Sequence, residues 1–213
     1  MQVVYEDNHL LAVNKPAGVL TQPSPTESAS LETQAKAWLK DKYAKPGQVY
    51  LHAVHRLDKV TSGLVLFAKT DKSLSRLNQQ MRGRSIVKIY HAVVTGQLPA
   101  SAGELCHNLQ HARLHTEVVD DGKPARLSYR LLKQAGDLSL VEIDLQTGRY
   151  HQIRAQLAAV GCPVLGDERY GGRPGYAAGA VALHHKRMRF THPVTKAELE
   201  LEAPYPADWP LLP

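Results

Sequence analysis

The chain has 213 residues and a net charge of +6. This length allows one large domain or two small lobes with a real core, and the basic balance favours an anionic partner, with nucleic acid first. The two cysteines, Cys106 and Cys162, have neither metal-ligand spacing nor a disulfide framework, which suits a reducing cytosol. We find no signal-peptide pattern and no apolar run long enough for a bilayer, so we expect a cytoplasmic protein with no membrane partner.

The chain begins with a predicted β-hairpin. Residues 2–5 and 10–13 favour strands, and residues 6–8 favour the turn between them. Residues 14–18 follow as a loop that contains a proline and a glycine. Lys15 in this loop could contact a phosphate or could be solvated, and the sequence favours neither.

Two helices are predicted in the next part of the chain. Residues 31–43 place Leu31, Ala35, Trp38 and Leu39 on one face. Thr70 is a predicted N-cap for a second helix that begins at Asp71 and ends in basic residues, as the helix dipole favours.

Residues 55–64, between these helices, read His-Arg-Leu-Asp-Lys-Val-Thr-Ser-Gly-Leu and lead into a predicted buried strand over residues 64–68. Residues 61–63 are predicted to form the turn before that strand. Asp58 follows an apolar residue, and a carboxylate in a loop beside a rigid strand can act as a fixed catalytic group. It can also cap a turn or pair with Arg56, and the motif alone favours that structural role.

Residues 86–95 predict a β-branched strand with Lys88 and Tyr90 on one face. The pair could offer an aromatic platform and a cation to a cleft, or could be an ordinary cross-strand pair. Residues 113–119, 125–132 and 138–145 predict further strands of an antiparallel meander, with no βαβ period.

A helix is predicted from residue 147 or 148 to Gly161, which suits the carboxyl-terminal cap. It carries Arg154 among alanines. If Arg154 is buried it needs a carboxylate partner, for which Asp58 is the natural candidate; a solvated arginine is equally compatible with the pattern.

The last third of the chain predicts a basic strand over residues 181–190 and a hairpin partner over residues 198–203. Its histidines have no matching cysteine or paired carboxylate nearby, so we predict no metal site. The glycine-rich run that ends at Gly179 lacks a phosphate-binding pattern.

Four blocks in this order resemble the RluA family of RNA pseudouridine synthases. They are residues 5–18, residues 55–64, the Lys-x-Tyr at 88–90, and residues 148–154 together with 166–171. The resemblance covers nearly the whole chain, and the His-Arg-Leu-Asp opening favours this family over RsuA-type synthases. Among the small departures, Tyr150 stands where threonine or histidine is commoner.

The resemblance implies an α+β fold with a mixed, largely antiparallel central sheet, flanked by helices and crossed by a central cleft. It implies a single catalytic domain over residues 1–213, without the amino-terminal accessory RNA-binding domain of some relatives. We also expect the enzyme to be a monomer.

The resemblance implies the reaction as well: uridine in ribosomal or transfer RNA becomes pseudouridine, with no cofactor and no metal. Asp58 would be the single catalytic carboxylate, either as nucleophile or as base. Arg154 would hold it ionised, Tyr90 would pack against the uracil, and the target base would leave its stack. Candidates for contacts with RNA phosphates and ribose are Lys15, Arg56, Lys88, Arg149, His151, Lys186, Arg187 and Arg189.

Two other classes of function remain open from the sequence. A nucleoside hydrolase would usually need a second carboxylate, and the only candidates within a motif are Asp167 and Glu168, in a loop that we interpret as structural. A non-catalytic RNA-binding module would need no buried Asp–Arg pair. The sequence does not identify which RNA or which uridine is used.

Overall fold

The computed structural model describes residues 1–213. It has three α-helices, eleven β-strands and a short 3-10 helix at Glu168–Tyr170, so the predicted α+β class is confirmed. The elements in chain order are β1 (Gln2–Glu6), β2 (Leu10–Lys15), α1 (Leu31–Lys42), β3 (His52–Ala53), β4 (Ser62–Ala68), α2 (Asp71–Arg82), β5 (Val87–Thr95), β6 (Ala102–His111), β7 (Thr116–Val118), β8 (Lys123–Ala135), β9 (Leu138–Leu145), α3 (Gln152–Ala159), β10 (Leu183–Thr191) and β11 (Glu198–Glu202).

The chain forms two compact units. The first unit contains residues 1–86 and 186–204, and the second contains residues 87–185 and 205–213. Strand β10 therefore begins in the second unit and ends in the first. The expectation of one catalytic domain over the whole chain stays a prediction. None of the three helices is both long and apolar enough to cross a bilayer.

The first unit is built around β4, which is buried at every residue. Strand β4 pairs antiparallel with β2, and β2 with β1, as the predicted amino-terminal hairpin requires. Strands β10 and β11 form the second predicted hairpin. Leu64 and Leu66 of β4 share a core cluster with Met188 and Phe190 of β10. Each large apolar side chain buried in this way contributes roughly 1.5–3 kcal/mol.

Both helices of the first unit begin at the predicted residues, and each has a hydroxyl cap, of which only Thr70 was predicted. The Ser30 hydroxyl accepts a hydrogen bond of 3.1 Å from the Thr33 N–H at the start of α1, and the Thr70 hydroxyl accepts one of 3.2 Å from the Ser73 N–H at the start of α2. On the predicted inner face of α1, Leu31, Ala35 and Leu39 are buried, whereas Trp38 is half-buried.

The strands of the second unit have the order β5-β9-β8-β6-β7 and pair antiparallel, so the predicted antiparallel pairing is confirmed. The predicted meander is wrong, because β5 pairs with β9 rather than with the next strand along the chain. Strand β6 was not predicted from the sequence. Only Leu105 and Leu109 of its ten residues are buried. They are four residues apart, so the run lacks the apolar alternation that marks a strand.

Several predicted boundaries are wrong. Asn14 and Lys15, predicted as loop, are the last residues of β2. Helix α3 begins at Gln152 rather than at residue 147 or 148, because His151 adopts the left-handed backbone conformation with φ 50° and ψ 23°. The turn before β4 lies earlier than residues 61–63: the Thr61 N–H donates a 3.1 Å hydrogen bond to the Asp58 carbonyl, and Ser62 already belongs to the strand. The predicted end of α3 is confirmed, with Gly161 at φ 76° just after the helix.

Candidate active site

Asp58 lies on a loop that hydrogen bonds hold in place before and after it in the sequence. The Leu57 N–H donates a 3.0 Å hydrogen bond to the Thr21 hydroxyl, and that hydroxyl donates another of 3.0 Å to the Leu57 carbonyl. On the other side, Asp58 accepts the bond from Thr61 that closes the turn. The Asp58 side chain is partly exposed, so a carboxylate in a fixed loop remains within reach of solvent and substrate.

Lys15 is fully buried beside this loop. Its ammonium donates hydrogen bonds of 3.0, 2.7 and 3.2 Å to the carbonyls of Pro16, Val19 and Lys59. Burial lowers the pKa of Lys15 to about 7, against the attraction of the nearby Asp58 carboxylate, which raises it. A phosphate contact by Lys15 stays a prediction, and the contacts seen here favour an internal cation next to Asp58.

The other predicted RNA contacts of the first unit lie near Asp58 in the sequence or on β10. Arg56 is exposed. Lys186 forms a 2.8 Å ion pair with Glu202 of β11, and Arg187 a looser one of 3.7 Å with Glu200. Arg189 is exposed. The RNA contacts of all four remain predictions.

In the second unit, Tyr90 lies on β5 with only 6% of its surface exposed. Its ring stacks on the buried His185 imidazole, with 4.4 Å between the ring centroids and 14° between the planes. Lys88, two residues earlier on the strand, lies near Gly148: a Cβ at that glycine would be 3.9 Å from the Lys88 ammonium. Lys88 therefore extends toward the segment that carries Arg149.

Arg154 is buried on α3, with 5% of its side chain exposed, and forms a bidentate ion pair. Its Nε donates at 2.6 Å to Asp167 Oδ2, and one terminal nitrogen donates at 2.8 Å to Asp167 Oδ1. The sequence indicated that a buried Arg154 needs a carboxylate, but it did not identify Asp167 as a partner. The signal that could have identified Asp167 was its place in the motif block at residues 166–171. The pairing of Arg154 with Asp58 stays a prediction.

His151 is also buried, and it lies directly before α3. Its Nδ1 is 2.9 Å from the Tyr170 hydroxyl. Burial, followed by repulsion from Arg154 and Arg169, lowers the pKa of His151 to about 3, so the imidazole is neutral at physiological pH. It therefore offers RNA no positive charge, whereas Arg149 next to it is exposed and charged. Contacts between RNA and either residue remain predictions.

The motif blocks and the fold match one known class of enzyme. The model of the family described as RNA pseudouridylate synthase matches residues 9–159, a range that includes Asp58, Tyr90 and Arg154. The chain belongs to this family, in its RluA branch, and is an RNA pseudouridine synthase.

Relatives over nearly the whole chain carry the same class in their names. An uncharacterized RNA pseudouridine synthase of Bacillus subtilis, YhcT, is 34% identical over 98% of this chain and 70% of its own length. Ribosomal large subunit pseudouridine synthase D of Pseudomonas aeruginosa is 33% identical over 98% of this chain and 69% of its own length.

A solved structure supports the fold. Human RNA pseudouridylate synthase domain containing 4 superimposes with a TM-score of 0.81, covering 98% of this chain and 90% of its own. Only 22% of the residues are identical, so the same fold is built here from a largely different sequence.

Proposed function

We propose that this enzyme converts uridine to pseudouridine in ribosomal or transfer RNA, with Asp58 as its single catalytic carboxylate. The observation that carries the proposal is the loop of Asp58, fastened by Thr21 and Thr61 and placed next to the buried Lys15. A carboxylate in a fixed loop stays oriented, and Lys15, whenever it is protonated, favours the ionised carboxylate that a nucleophile or base requires.

The reaction requires one bond exchange at the ribose. The bond between the ribose C1′ and the uracil N1 breaks, the base turns, and a bond forms between C1′ and the uracil C5. The proton of C5 is then lost, and N1 regains one, so that no atom is gained or lost overall. Asp58 acts at the sugar, either by attack on C1′ or by removal of the neighbouring ribose proton.

Arg154 and Tyr90 act with Asp58 in this proposal. A guanidinium has five N–H donors in a planar fork, and Asp167 takes two of them. The bidentate bond fixes the plane of Arg154, and in this proposal the fixed guanidinium holds Asp58 ionised. The Tyr90 ring, held by His185, packs against the uracil after the base has left its stack.

Ribosomal RNA is favoured by the relative named ribosomal large subunit pseudouridine synthase D, and the positive net charge of the chain suits either RNA. The exposed arginines, with Arg56 and Arg149 closest to the motifs, bind phosphates in this proposal. The enzyme acts as a monomer in the cytoplasm, where ribosomal and transfer RNA are both present.

The test uses ribosomal and transfer RNA tritiated at the uracil C5, incubated with the full chain. We expect release of tritium to water while the base stays attached to the ribose. Release of free uracil would instead identify a hydrolase, and RNA binding without either product would identify a binding module. Chemical labelling of pseudouridine in RNA from cells lacking the gene then locates the uridine.

A further inference from the structure

Tyr150 is an aromatic residue that the proposed reaction does not use and that remains 46% exposed. Its ring stacks on the His151 imidazole, with 3.8 Å between the centroids and 20° between the planes. The His111 imidazole stands nearly perpendicular to it, at 4.6 Å and 84°. Two aromatic rings at the surface, supported by a third that is buried, form an aromatic corner open to solvent.

The support beneath Tyr150 is rigid. The Thr116 hydroxyl donates a 2.7 Å hydrogen bond to the Tyr150 carbonyl, and the Thr116 N–H donates one of 2.8 Å to the Tyr170 hydroxyl. That hydroxyl lies 2.9 Å from His151 Nδ1. These bonds hold the Tyr150 backbone and the imidazole against which its ring stacks, so a base stacked on the ring would lose little by ordering it.

Positive charge surrounds this aromatic corner. Arg149 precedes Tyr150, and the exposed Arg169 donates a hydrogen bond to the carbonyl of Leu114, in the turn between β6 and β7. Arg113 is exposed in the same turn. Exposed carboxylates in the neighbouring segments are Glu168, Glu117, Asp120 and Asp121, and Glu117 is bound to His115. Exposed aromatic faces among arginines are typical of surfaces that bind unpaired nucleotides, whose bases stack and whose phosphates are anionic.

We propose that Tyr150, supported by His151 and flanked by His111, is a stacking platform for one unpaired base of the RNA substrate, separate from the uridine that is modified. The proposal rests on the proposed function to the extent that RNA is the substrate. It assigns Tyr150 to binding and not to the bond exchange. Stacking accepts any base, so the platform strengthens binding to looped RNA without selecting a sequence.

The test measures binding of the full chain to a short single-stranded RNA that carries 2-aminopurine, whose fluorescence falls when it stacks on an aromatic ring. Wild type and Tyr150→Phe should quench the probe and bind alike. Tyr150→Ala should lose the quenching and bind about 10-fold more weakly, the loss expected for one stacked base. Tyr50→Ala, which removes another exposed tyrosine, should behave as wild type.

A fourth variant separates loss of the platform from loss of structure. Tyr150→Leu keeps apolar bulk over His151 but removes the flat ring, so it should unfold at the wild-type temperature and still lose the quenching. Unchanged quenching and affinity in Tyr150→Ala and Tyr150→Leu would overturn the platform. Equal loss in Tyr150→Phe would do so too, because the ring would then not be what binds.

Tritium release, followed in parallel, keeps the two proposals apart. Quenching that depends on Tyr150, without tritium release by the wild type, would contradict the proposed function and leave the platform standing. Tritium release with the same KM and kcat in Tyr150→Ala, together with unchanged quenching, would contradict the platform alone. The platform requires that KM rises about 10-fold in Tyr150→Ala while kcat stays near the wild-type value.

Discussion

The Tyr90 ring lies flat on the His185 imidazole, 4.4 Å away and tilted by only 14°. Aromatic pairs contribute about 0.5–1.5 kcal/mol beyond their buried area, and here the pair fixes the ring proposed to meet the uracil. We expect His185→Ala to lower kcat about 5-fold with little change in KM. His185→Phe should restore kcat, because it keeps a stacked ring. A change in KM alone would indicate that His185 does not position Tyr90.

Asp58→Asn keeps the shape of the side chain and removes its charge. We expect kcat to fall at least about 10³-fold while affinity for RNA stays near wild type, because Asn can neither attack C1′ nor accept the ribose proton. Tritium release and filter binding measure the two effects. Asp137→Asn, at an exposed carboxylate paired with Arg173, is the matched control and should be fully active. Substantial turnover by Asp58→Asn would remove Asp58 from the mechanism.

Variants of the buried pair Arg154 and Asp167 can distinguish a contribution to stability from a contribution to activity. Asp167→Ala leaves the guanidinium buried without its bidentate partner, and we expect the free energy of unfolding to fall by about 3–5 kcal/mol. The double variant Arg154→Met with Asp167→Leu removes both charges and should regain most of that stability. It should nevertheless stay inactive, because Arg154 is proposed to hold Asp58. A stable and fully active double variant would limit Arg154 to a structural role.

Lys15 makes stability depend on pH. Its pKa is about 7 in the folded chain and about 10.5 in the unfolded chain, so between these values the unfolded chain holds a proton that the folded chain has released. Stability therefore rises with pH in this window, by up to about 1.4 kcal/mol per pH unit, and the gain is absent below pH 7. Urea unfolding from pH 7 to 10 should show that Lys15→Met loses this slope. Lys40→Met, at an exposed lysine of α1, should keep it.

Gly96 is required by a close approach of two backbone segments. It has φ +87°, and a Cβ there would lie 2.4 Å from the Gly161 carbonyl oxygen. Gly136 has φ +62° with open space around it, so Gly136→Ala carries the backbone strain alone, about 1 kcal/mol. We expect Gly96→Ala to cost a further 1–3 kcal/mol or so of unfolding free energy, because the backbone must shift. Equal melting temperatures for the two variants would contradict this account.

The elements that the sequence predicted well are those with a local cause. Strand β4 contains the apolar run of residues 64–68, and α2 begins directly after Thr70, whose hydroxyl caps it. The start of α3 was predicted wrongly because Thr147, a good N-cap by residue type, binds strand β8 instead of capping a helix. Its hydroxyl accepts a 2.8 Å hydrogen bond from the Arg126 N–H on β8. A contact 21 residues away thus overrides the local preference, and no periodicity reports it.

The sequence predicted which residues belong to the site better than it predicted which residues they contact. The motifs identified Arg154 as an arginine that needs a carboxylate if it is buried, and it is buried. They did not identify Asp167 as its partner, because the place of Asp167 in a motif block does not show which side chain it contacts. The exposure of Tyr150 above His151 likewise depends on the left-handed backbone at His151, which residue type does not specify.

The first unit consists of residues 1–86 and 186–204, so its two segments are synthesised at different times. Its core includes Leu64 and Leu66 from the early segment, but Met188 and Phe190 arrive only after the whole run of residues 87–185 has been made. On the ribosome, the strands of the early segment therefore keep an exposed apolar face, while the hairpin of β8 and β9, which is local in sequence, can already form. A stalled nascent chain that ends before residue 186 should for this reason bind chaperones that recognise exposed apolar strands.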